Sequence, residues 1–435
     1  MAGVKRSLGG EVAFVAGMLV AGVVLRLIWL GGTPSGLTGF AGGGEAARVA
    51  LTLAREGRFA DAFWDGSGPT AHLMPVSPAV AALVFRFFPP ASAAASAMLL
   101  AWALAQSLGG YLLLRTLFAR LGADRRALRW GLGFLLLVPI FAPEETVGFR
   151  YWDSALAVCL VGANLLAATT VERRGAMPVG SAIGVAALWA IAAFASPVAG
   201  FALALVWAWV ALHRLPFAQA ARFALLSAIG IAALLTPWTL RNARELGQPV
   251  VLRSNFGLEF AIGNHPAALS DRAPAEVYLE RLRAIHPLYG GPGRAALIRA
   301  GGEVPYFRQL GAETWRWAAA HPFGFAQLCA RHLFQFFVPP AWTLALSTWE
   351  DFIPLRAALI AIVDLAGLAA IAVGMRQRRP GYSLLAIFVA AAALPYSLVQ
   401  PNPRYTYLVW GLLAFAAADG ASRYLRARPG AGKAR

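Results

Sequence analysis

Residues Phe223–Asn264 read FALLSAIGIAALLTPWTLRNARELGQPVVLRSNFGLEFAIGN, and this stretch decides the fold. It begins as an apolar run, Phe223 to Leu235, of the kind that fills a bilayer. After Pro237 it turns into a polar segment in which Arg241, Arg244 and Arg253 are interleaved with Trp238, Asn242, Ser254, Asn255 and Asn264. Guanidinium groups present a fixed fork of donors that matches phosphate oxygens, so several of them at a membrane edge point to an anionic lipid or a phosphorylated ligand. A single arginine there can do no more than reach for the headgroups, but the cluster with its asparagine neighbours calls for a ligand.

The rest of the chain has the same character. Of 435 residues, 59% are hydrophobic and only 14% charged, and the mean hydropathy is +0.60. That is more apolar sequence than a soluble core buries, and it places the chain in the membrane. The formal charge of +17 is almost all arginine, Lys5 and Lys433 being the two lysines. Nucleic-acid binding is excluded as the reason, because the arginines sit in short loops between apolar segments instead of forming one basic domain. Cys159 and Cys329 are too few, and too embedded in apolar sequence, for a disulfide framework.

Spanning segments are expected near 12–30, 93–118, 129–142, 153–171, 179–195, 197–212, 222–238, 355–375, 382–398 and 407–424, about ten by the length rule. The fold class is therefore all-α, a polytopic transmembrane helix bundle. With both termini cytoplasmic, the runs Arg120–Arg129, Arg173–Arg174, Arg214–Arg222, Arg376–Arg379 and the tail from Arg423 all fall inside, as the positive-inside rule requires. The chain then divides into a transmembrane core over 1–240 with a first external loop at 31–92, a long external loop over 241–354, and C-terminal transmembrane helices with a basic cytoplasmic tail over 355–435. Residues 275–320 read as amphipathic helices lying on the membrane face, and 323–346, with Arg331, His332 and Pro339–Pro340, as interfacial or re-entrant.

The acidic residues on the external side define the possible chemistry. Glu45 follows three glycines and opens an amphipathic stretch, with Glu45, Arg48, Thr52 and Arg55 on a polar face and Ala46, Val49, Ala50 and Leu53 opposite. Such a carboxylate could equally be a favourable anion at a helix N-terminus, paired with Arg48. Asp153 could simply cap the helix that follows it. Glu45, Glu145 and Asp153, His72, and the arginines 241, 253 and 404 nevertheless share one predicted side. A carboxylate there can take a proton from an acceptor hydroxyl while arginines stabilise a departing phosphate. His72, Asn255 and Asn264 are candidates for hydrogen-bonding the substrate. A divalent metal held by Glu45, His72 and Asp153 is conceivable from ligand type, but no tight ligand spacing supports it, so no metal or other cofactor is expected. Asp364 lies inside an expected helix and is read as structurally paired or solvated within the bundle.

The first-loop sequences GGGEAARVALTLAREGRFADAF (42–63) and GPTAHLMPVSPAVAALVFRFF (68–88) resemble the corresponding loop of bacterial members of the glycosyltransferase C superfamily related to protein O-mannosyltransferases and the aminoarabinose transferases of lipid A. TPWTLRN and RSNFGLEFAIGN, HPFGFAQLCARHLFQFF (321–337) and NPRYTYLVW (402–410) are similar to later parts of that group, in the same order. The resemblance implies a multi-spanning enzyme that takes a sugar from a polyprenyl-phosphate donor and transfers it, with inversion, to a glycan, lipid or protein acceptor on the external face of the cytoplasmic membrane. Glu45 matches the family's essential acid, as general base or acceptor-positioning group. Asp153, in YWDSAL, matches a second acid, and Arg241, Arg253 and Arg404 would hold the carrier phosphate. The chain departs from the family in having glycines before a single Glu45, and in having one arginine, Arg404, where two commonly flank a tyrosine. That departure favours Arg241 and Arg253 as the clamp. A lipid or polysaccharide transporter, or a catalytically degenerate membrane assembly protein, is the alternative. The polar groups gathered on one side, with no repeat of two halves, argue against transport.

Overall fold

The computed structural model describes residues 2–32, 44–345 and 352–427. Gly42 and Gly43 of the glycine run and the basic tail after Pro429 lie outside the described residues. Among the described residues the long regular elements are all helices: α1 (Ala2–Gly31), α2 (Gly44–Glu56), α3 (Val76–Phe87), α4 (Ala93–Arg120), α5 (Arg125–Leu137), α6 (Ala142–Thr146), α7 (Ser154–Arg174), α8 (Val179–Ala195), α9 (Pro197–Arg214) and α10 (Phe217–Leu246) precede the long polar stretch. Then come α11 (Phe256–Gly263), α12 (Pro274–Ile285), α13 (Gly291–Arg299), α14 (Glu303–Ala320), α15 (Pro322–Phe337), α16 (Ala341–Ala345), α17 (Ile353–Arg376), α18 (Tyr382–Ala393) and α19 (Pro403–Ala427).

Each expected spanning segment overlaps a helix, although 129–142 runs past the end of α5 at Leu137 and 382–398 past the end of α18 at Ala393. Among the described residues, six helices are long and apolar enough to cross a membrane: Gly9–Gly31, Ala93–Arg120, Ser154–Arg174, Pro197–Arg214, Phe217–Leu246 and Ile353–Arg376. A seventh is reached if Arg125–Leu137 and Ala142–Arg150, bent by 71° at their break, count as one span. The expected count of about ten is not reached by that measure. Val179–Ala195 and Tyr382–Ser397 are apolar but shorter, and α19 carries Asp419 and Arg423 in its second half. Pro237 does not end its helix as the sequence suggests, because α10 runs on through it to Leu246. Arg241 and Arg244 therefore belong to a rigid helix end, and one lost main-chain hydrogen bond is tolerated inside it.

Burial separates two packed regions. The larger core is the bundle, where α4, α7, α9, α18 and α19 contribute side chains such as Phe118, Leu165, Trp207, Phe388 and Trp410. Helices approach closely where a side chain would not fit: a Cβ on Gly367 would lie 2.5 Å from the Leu413 carbonyl oxygen, and one on Gly200 2.5 Å from the Ala193 Cα. Small residues at such crossings are what membrane helices use in place of a hydrophobic driving force. The second core is a layer in which α2, α3 and the segment 59–74 pack against α11 and α14 through Val49, Phe63, Leu73, Leu258, Phe307 and Leu310. Residues distant in sequence thus form one compact cap, and the expected amphipathic helices over 275–320 appear within it as α12, α13 and α14.

Bundle and cap differ in how they hold their charges. Inside the bundle, Arg26 of α1 bonds Glu145 at 2.6 Å and the carbonyls of Gly22, Leu135 and Leu136 at 3.0–3.1 Å. Tyr111 and Tyr407 donate to the other oxygen of Glu145. Arg26 and Glu145 are 1% and 0% exposed, so this pair is satisfied entirely by protein. Asp364, on α17, is fully buried and neither of its oxygens has a hydrogen-bond partner. The pairing expected for it is not observed.

Candidate active site in the cap

The segment 59–72 is built as a narrow loop. Asp61 sits at φ 65°, a conformation Asp tolerates better than most residues. Its carboxylate accepts from Gly68 N at 2.9 Å, while its own N–H donates to Gly68 O at 2.9 Å. Thr70 N closes the mouth by donating to Phe59 O. Arg241 then grips both strands of that mouth: Nη1 donates to Thr70 O at 2.6 Å and to Asn242 Oδ1 at 2.9 Å, and Nη2 donates to Phe59 O. The guanidinium also lies over the rings of Phe59 and Trp238, each at 5.5 Å. Arg241 was expected to grip a carrier phosphate. Its terminal nitrogens are instead committed to loop carbonyls, because the continued helix aims it under the loop.

Glu303, at the start of α14, completes the clasp. Its Oε2 accepts from Thr70 Oγ1 at 2.7 Å, and its Oε1 accepts from Ala71 N at 2.6 Å and from Ser254 Oγ at 2.8 Å. Thr70 Oγ1 in turn accepts from His72 N at 3.0 Å. Burial raises the pKa of Glu303 in spite of these bonds and of the nearby Arg241. The backbone at 70–72, and with it the His72 imidazole, is therefore fixed from two directions.

The clasp positions a buried group of titratable residues. Glu45, on the polar face of its helix, is 7% exposed, and Thr52 on the same face is also buried. Arg48 pairs with Asp65 at 3.2 Å, and the partner of Glu45 is His286, whose Nε2 lies 3.4 Å from Glu45 Oε1. His72 stands beside them, its ring 6.1 Å from that of His286 and 5.2 Å from Phe63. Burial, aided by His286, Arg253 and Arg404, holds the His72 pKa well below the ordinary imidazole range, and its buried Nδ1 has no hydrogen-bond partner. Burial likewise lowers the pKa of His286 against the pull of Glu45. Both rings are thus neutral near pH 7.

One ligand atom from each of Glu45, His72 and His286 falls within 4.8 Å of the others, the donor types of a transition-metal site. Asp153, the third donor considered from ligand type, is not in this group and bonds Arg253. The hydrogen bonding of His286 does not favour a metal on Nε2: Leu288 N donates to Nδ1 at 3.2 Å, which puts the ring proton on Nε2, facing Glu45. A ligating imidazole ordinarily donates from its second nitrogen instead of accepting there.

The cations are held by partners of their own. Arg253 Nη2 bonds Asp153 Oδ2 at 2.9 Å, so the second predicted acid acts as an anchor for an arginine. Arg404, expected in an external loop, is in the first turn of α19, stacked 4.1 Å above the Trp152 ring. Between these groups stands Glu259 of α11, a residue not singled out in the sequence. Its pKa is raised by burial first and then by the charge of Glu45, and is opposed by Arg404, Arg253 and a contact from Asn255 Nδ2 at 3.5 Å. Tyr289, whose ring is 4.8 Å from that of His286, has its pKa raised chiefly by Glu45.

Glu45, His72, Arg253, Arg404, Asp153 and Asn255 are therefore brought together, with Glu259 and His286 added. Three predicted residues are not part of the group. Glu145 is sealed in the bundle with Arg26, and Arg241 is part of the clasp. Asn264 is buried with its Nδ2 donating to Phe260 O and Leu398 O at 2.9 and 2.7 Å, a contact that ties α11 to the end of the α18 region. His286 and Glu259 carry a local signal only in retrospect: each is an ionisable residue set among apolar ones, in RAIHPLY and FGLEFAIG.

No family model and no curated protein sequence matches the chain. Its structure is similar to that of the Archaeoglobus fulgidus oligosaccharyltransferase in the apo form, with a TM-score of 0.54 and 15% identity over 95% of this chain and 50% of that one. The A. fulgidus oligosaccharyltransferase AglB in complex with an inhibitory peptide and a dolichol-phosphate gives a TM-score of 0.53 at 16% identity, again over 95% and 50%. ArnT from Cupriavidus metallidurans bound to undecaprenyl phosphate aligns over 95% of this chain and 78% of that one at 16% identity, with a TM-score of 0.37, too low to establish a shared fold. The chain spans about half the length of the oligosaccharyltransferase it matches. The likeness shows the fold alone: this chain shares its helical architecture with the oligosaccharyltransferase.

Proposed function

We propose that this chain is a membrane glycosyltransferase that moves a sugar from a polyprenyl-phosphate donor to an acceptor hydroxyl on the external face of the cytoplasmic membrane. The observation that carries the reading is the grouping around Glu45: His286 Nε2 at 3.4 Å, the His72 ring beside it, Arg253 anchored by Asp153 and Arg404 over Trp152, with the part-buried Glu259 raised in pKa by burial and Glu45. A base and an anion clamp thus meet in one place, as the chemistry requires. The dolichol-phosphate in the AglB structure, a protein of the same fold, supports a lipid-phosphate donor.

In this reading the acceptor hydroxyl gives its proton to Glu45 as its oxygen attacks the anomeric carbon. The bond from that carbon to the phosphate oxygen breaks on the opposite side, and the configuration inverts. His286 Nε2–H, facing Glu45 Oε1, fixes the carboxylate so that its second oxygen faces the acceptor. Charge growing on the leaving phosphate is met by Arg253, steadied by Asp153, and by Arg404, held flat on Trp152. Glu259, inclined by its surroundings to keep a proton, can donate a hydrogen bond to a substrate oxygen. His72, neutral and with a free Nδ1, can accept one from a sugar hydroxyl. No step calls on a metal or other cofactor.

Membranes carrying the full chain, supplied with a radiolabelled polyprenyl-phosphate sugar and a total envelope acceptor extract, test this directly. Glu45→Gln is expected to lower transfer by roughly 10²–10⁴-fold, the usual contribution of a positioned base. Undiminished transfer by both Glu45→Gln and Arg253→Ala would end the assignment.

A further inference from the structure

An open basin lies beside α11, the helix that carries Glu259, with Tyr278, His265, Arg331, Gln335, Trp342 and Gln400 on its walls. Tyr278 belongs to the basin and to the cluster. It lines the basin, and it is close enough to Glu259, Tyr289 and Arg404 for their charges to act on its hydroxyl. Its ring is 5.5 Å from that of Trp342. Ile262 and Gly263, at the end of the helix that carries Glu259, also line the basin.

Its charge is not balanced by protein. Arg331 is half-buried on α15, and its Nη1 donates to Ala268 O at 2.9 Å. Its Nε is buried with no hydrogen-bond partner, and no carboxylate among the described residues lies within ion-pair distance of it. Arg281, behind the basin, also donates to a carbonyl, Ala261 O at 3.1 Å. Burial, aided by the field of Arg281 and Arg331, pushes the His265 pKa down to about 4. Arg272 at the rim is already paired with Glu280. A half-buried guanidinium without a counter-charge is costly unless a ligand supplies one.

The remaining walls suit a sugar. Gln400 Nε2 donates to Gln335 Oε1 at 3.0 Å, which fixes the two amides and leaves the Gln335 NH₂ and the Gln400 carbonyl for hydroxyl groups. Trp342 and Tyr278 offer flat apolar faces with polar edges, the surfaces on which the C–H face of a pyranose rests.

The geometry points to this basin as the acceptor subsite for a sugar that carries a carboxylate or phosphate, with Arg331 as the group that reads the negative charge. The word acceptor rests on the transfer reading above; the binding of an acidic sugar does not.

The test is ligand-observed saturation-transfer NMR on the full chain in phosphatidylcholine nanodiscs, with glucuronate, mannose 6-phosphate and uncharged mannose as probes. Both acidic sugars are expected to bind saturably and at least roughly tenfold more tightly than mannose, and Arg331→Gln to remove that preference, while Arg331→Lys keeps part of it. Gln335→Ala and Trp342→Ala are expected to weaken all three sugars together, which gives a second measurement should Arg331→Gln fold poorly. Equal binding of acidic and neutral sugars, or a preference that survives Arg331→Gln, overturns the proposal. So does competition by phosphatidylglycerol placed in the disc and relieved by Arg331→Gln, since the basin would then be a lipid headgroup site. The measurement uses no donor. Its failure leaves the Glu45 result standing, and an active Glu45→Gln enzyme leaves the sugar binding standing.

Discussion

Glu303→Ala should loosen the 59–72 loop while leaving the bundle intact. The carboxylate accepts three hydrogen bonds, from Thr70 Oγ1, Ala71 N and Ser254 Oγ, at 2.6–2.8 Å. Thr70 and Ala71 are 1% and 0% exposed, so water does not replace what is lost. Leaving a buried main-chain N–H unsatisfied costs about 1–3 kcal/mol, and each hydroxyl that can rotate elsewhere about 0.5–1.5 kcal/mol, for roughly 2–6 kcal/mol in all. At 1.4 kcal/mol per factor of ten, that is about 30-fold to 10⁴-fold faster amide exchange by local opening. The assay is hydrogen–deuterium exchange mass spectrometry of the full chain in micelles, comparing peptides over 59–74 with peptides from 154–174 as an internal reference. Burial already favours the neutral form of Glu303, so Glu303→Gln should recover most of the protection. Wild-type exchange over 59–74 in Glu303→Ala, or equal loosening of the reference, would refute the clasp. Because His72 N bonds Thr70 Oγ1, the same variant is expected to lower transfer at least tenfold although Glu303 touches no substrate.

Arg241→Ala removes donors from both sides of the loop mouth and should lower the thermal unfolding midpoint with the same pattern of exchange, and a donor titration should show kcat falling more than KM rises; a pure rise in KM would return Arg241 to the phosphate. Asp153→Asn keeps the shape but loses the charge that anchors Arg253, and should raise the donor KM several-fold with a smaller change in kcat, checked by varying the polyprenyl-phosphate sugar. His265 and His332 have folded pKa values of about 4 against an ordinary 6.5, from burial and nearby arginines. The unfolded chain therefore binds more protons between those limits, and their contribution to stability, complete above pH 6.5, is lost as pH falls toward 4. Glu303 and Glu259, with raised pKa values, act in the opposite sense, so the measurement is the difference between wild type and His265→Gln, whose unfolding midpoint should fall less steeply with acidification.

How much of this the sequence made legible depends on the range of the interaction. Helix positions follow from runs of apolar residues, and each expected segment overlaps a helix, because a bilayer imposes the same length and composition rule on every span. Glu45 and Arg253 were legible as polar groups on one side of the membrane. Their partners were not, since His286 is contributed from a segment more than two hundred residues beyond Glu45 and nothing near it declares that it turns inward. Arg241 shows the opposite difficulty. An arginine after a membrane helix looks the same whether it faces a phosphate or a loop, and only the continuation of the helix through Pro237 decided which. Glu145 sat beside residues of the correct side, but the bend between α5 and α6 turned it into the bundle, where Arg26 was waiting.

That last pair has a consequence for biosynthesis. Arg26 lies in an apolar run that leaves the ribosome before Glu145, which follows 119 residues later. At roughly 5–20 residues per second, the translocon must hold a helix bearing an uncompensated guanidinium for roughly 6–24 s before its counter-charge is made. A lone arginine within an apolar span costs about 2.5–3.5 kcal/mol on insertion scales. During that interval the Arg26 helix is a client for whatever shelters unfinished segments in the membrane, and Glu145 is the residue that ends the wait.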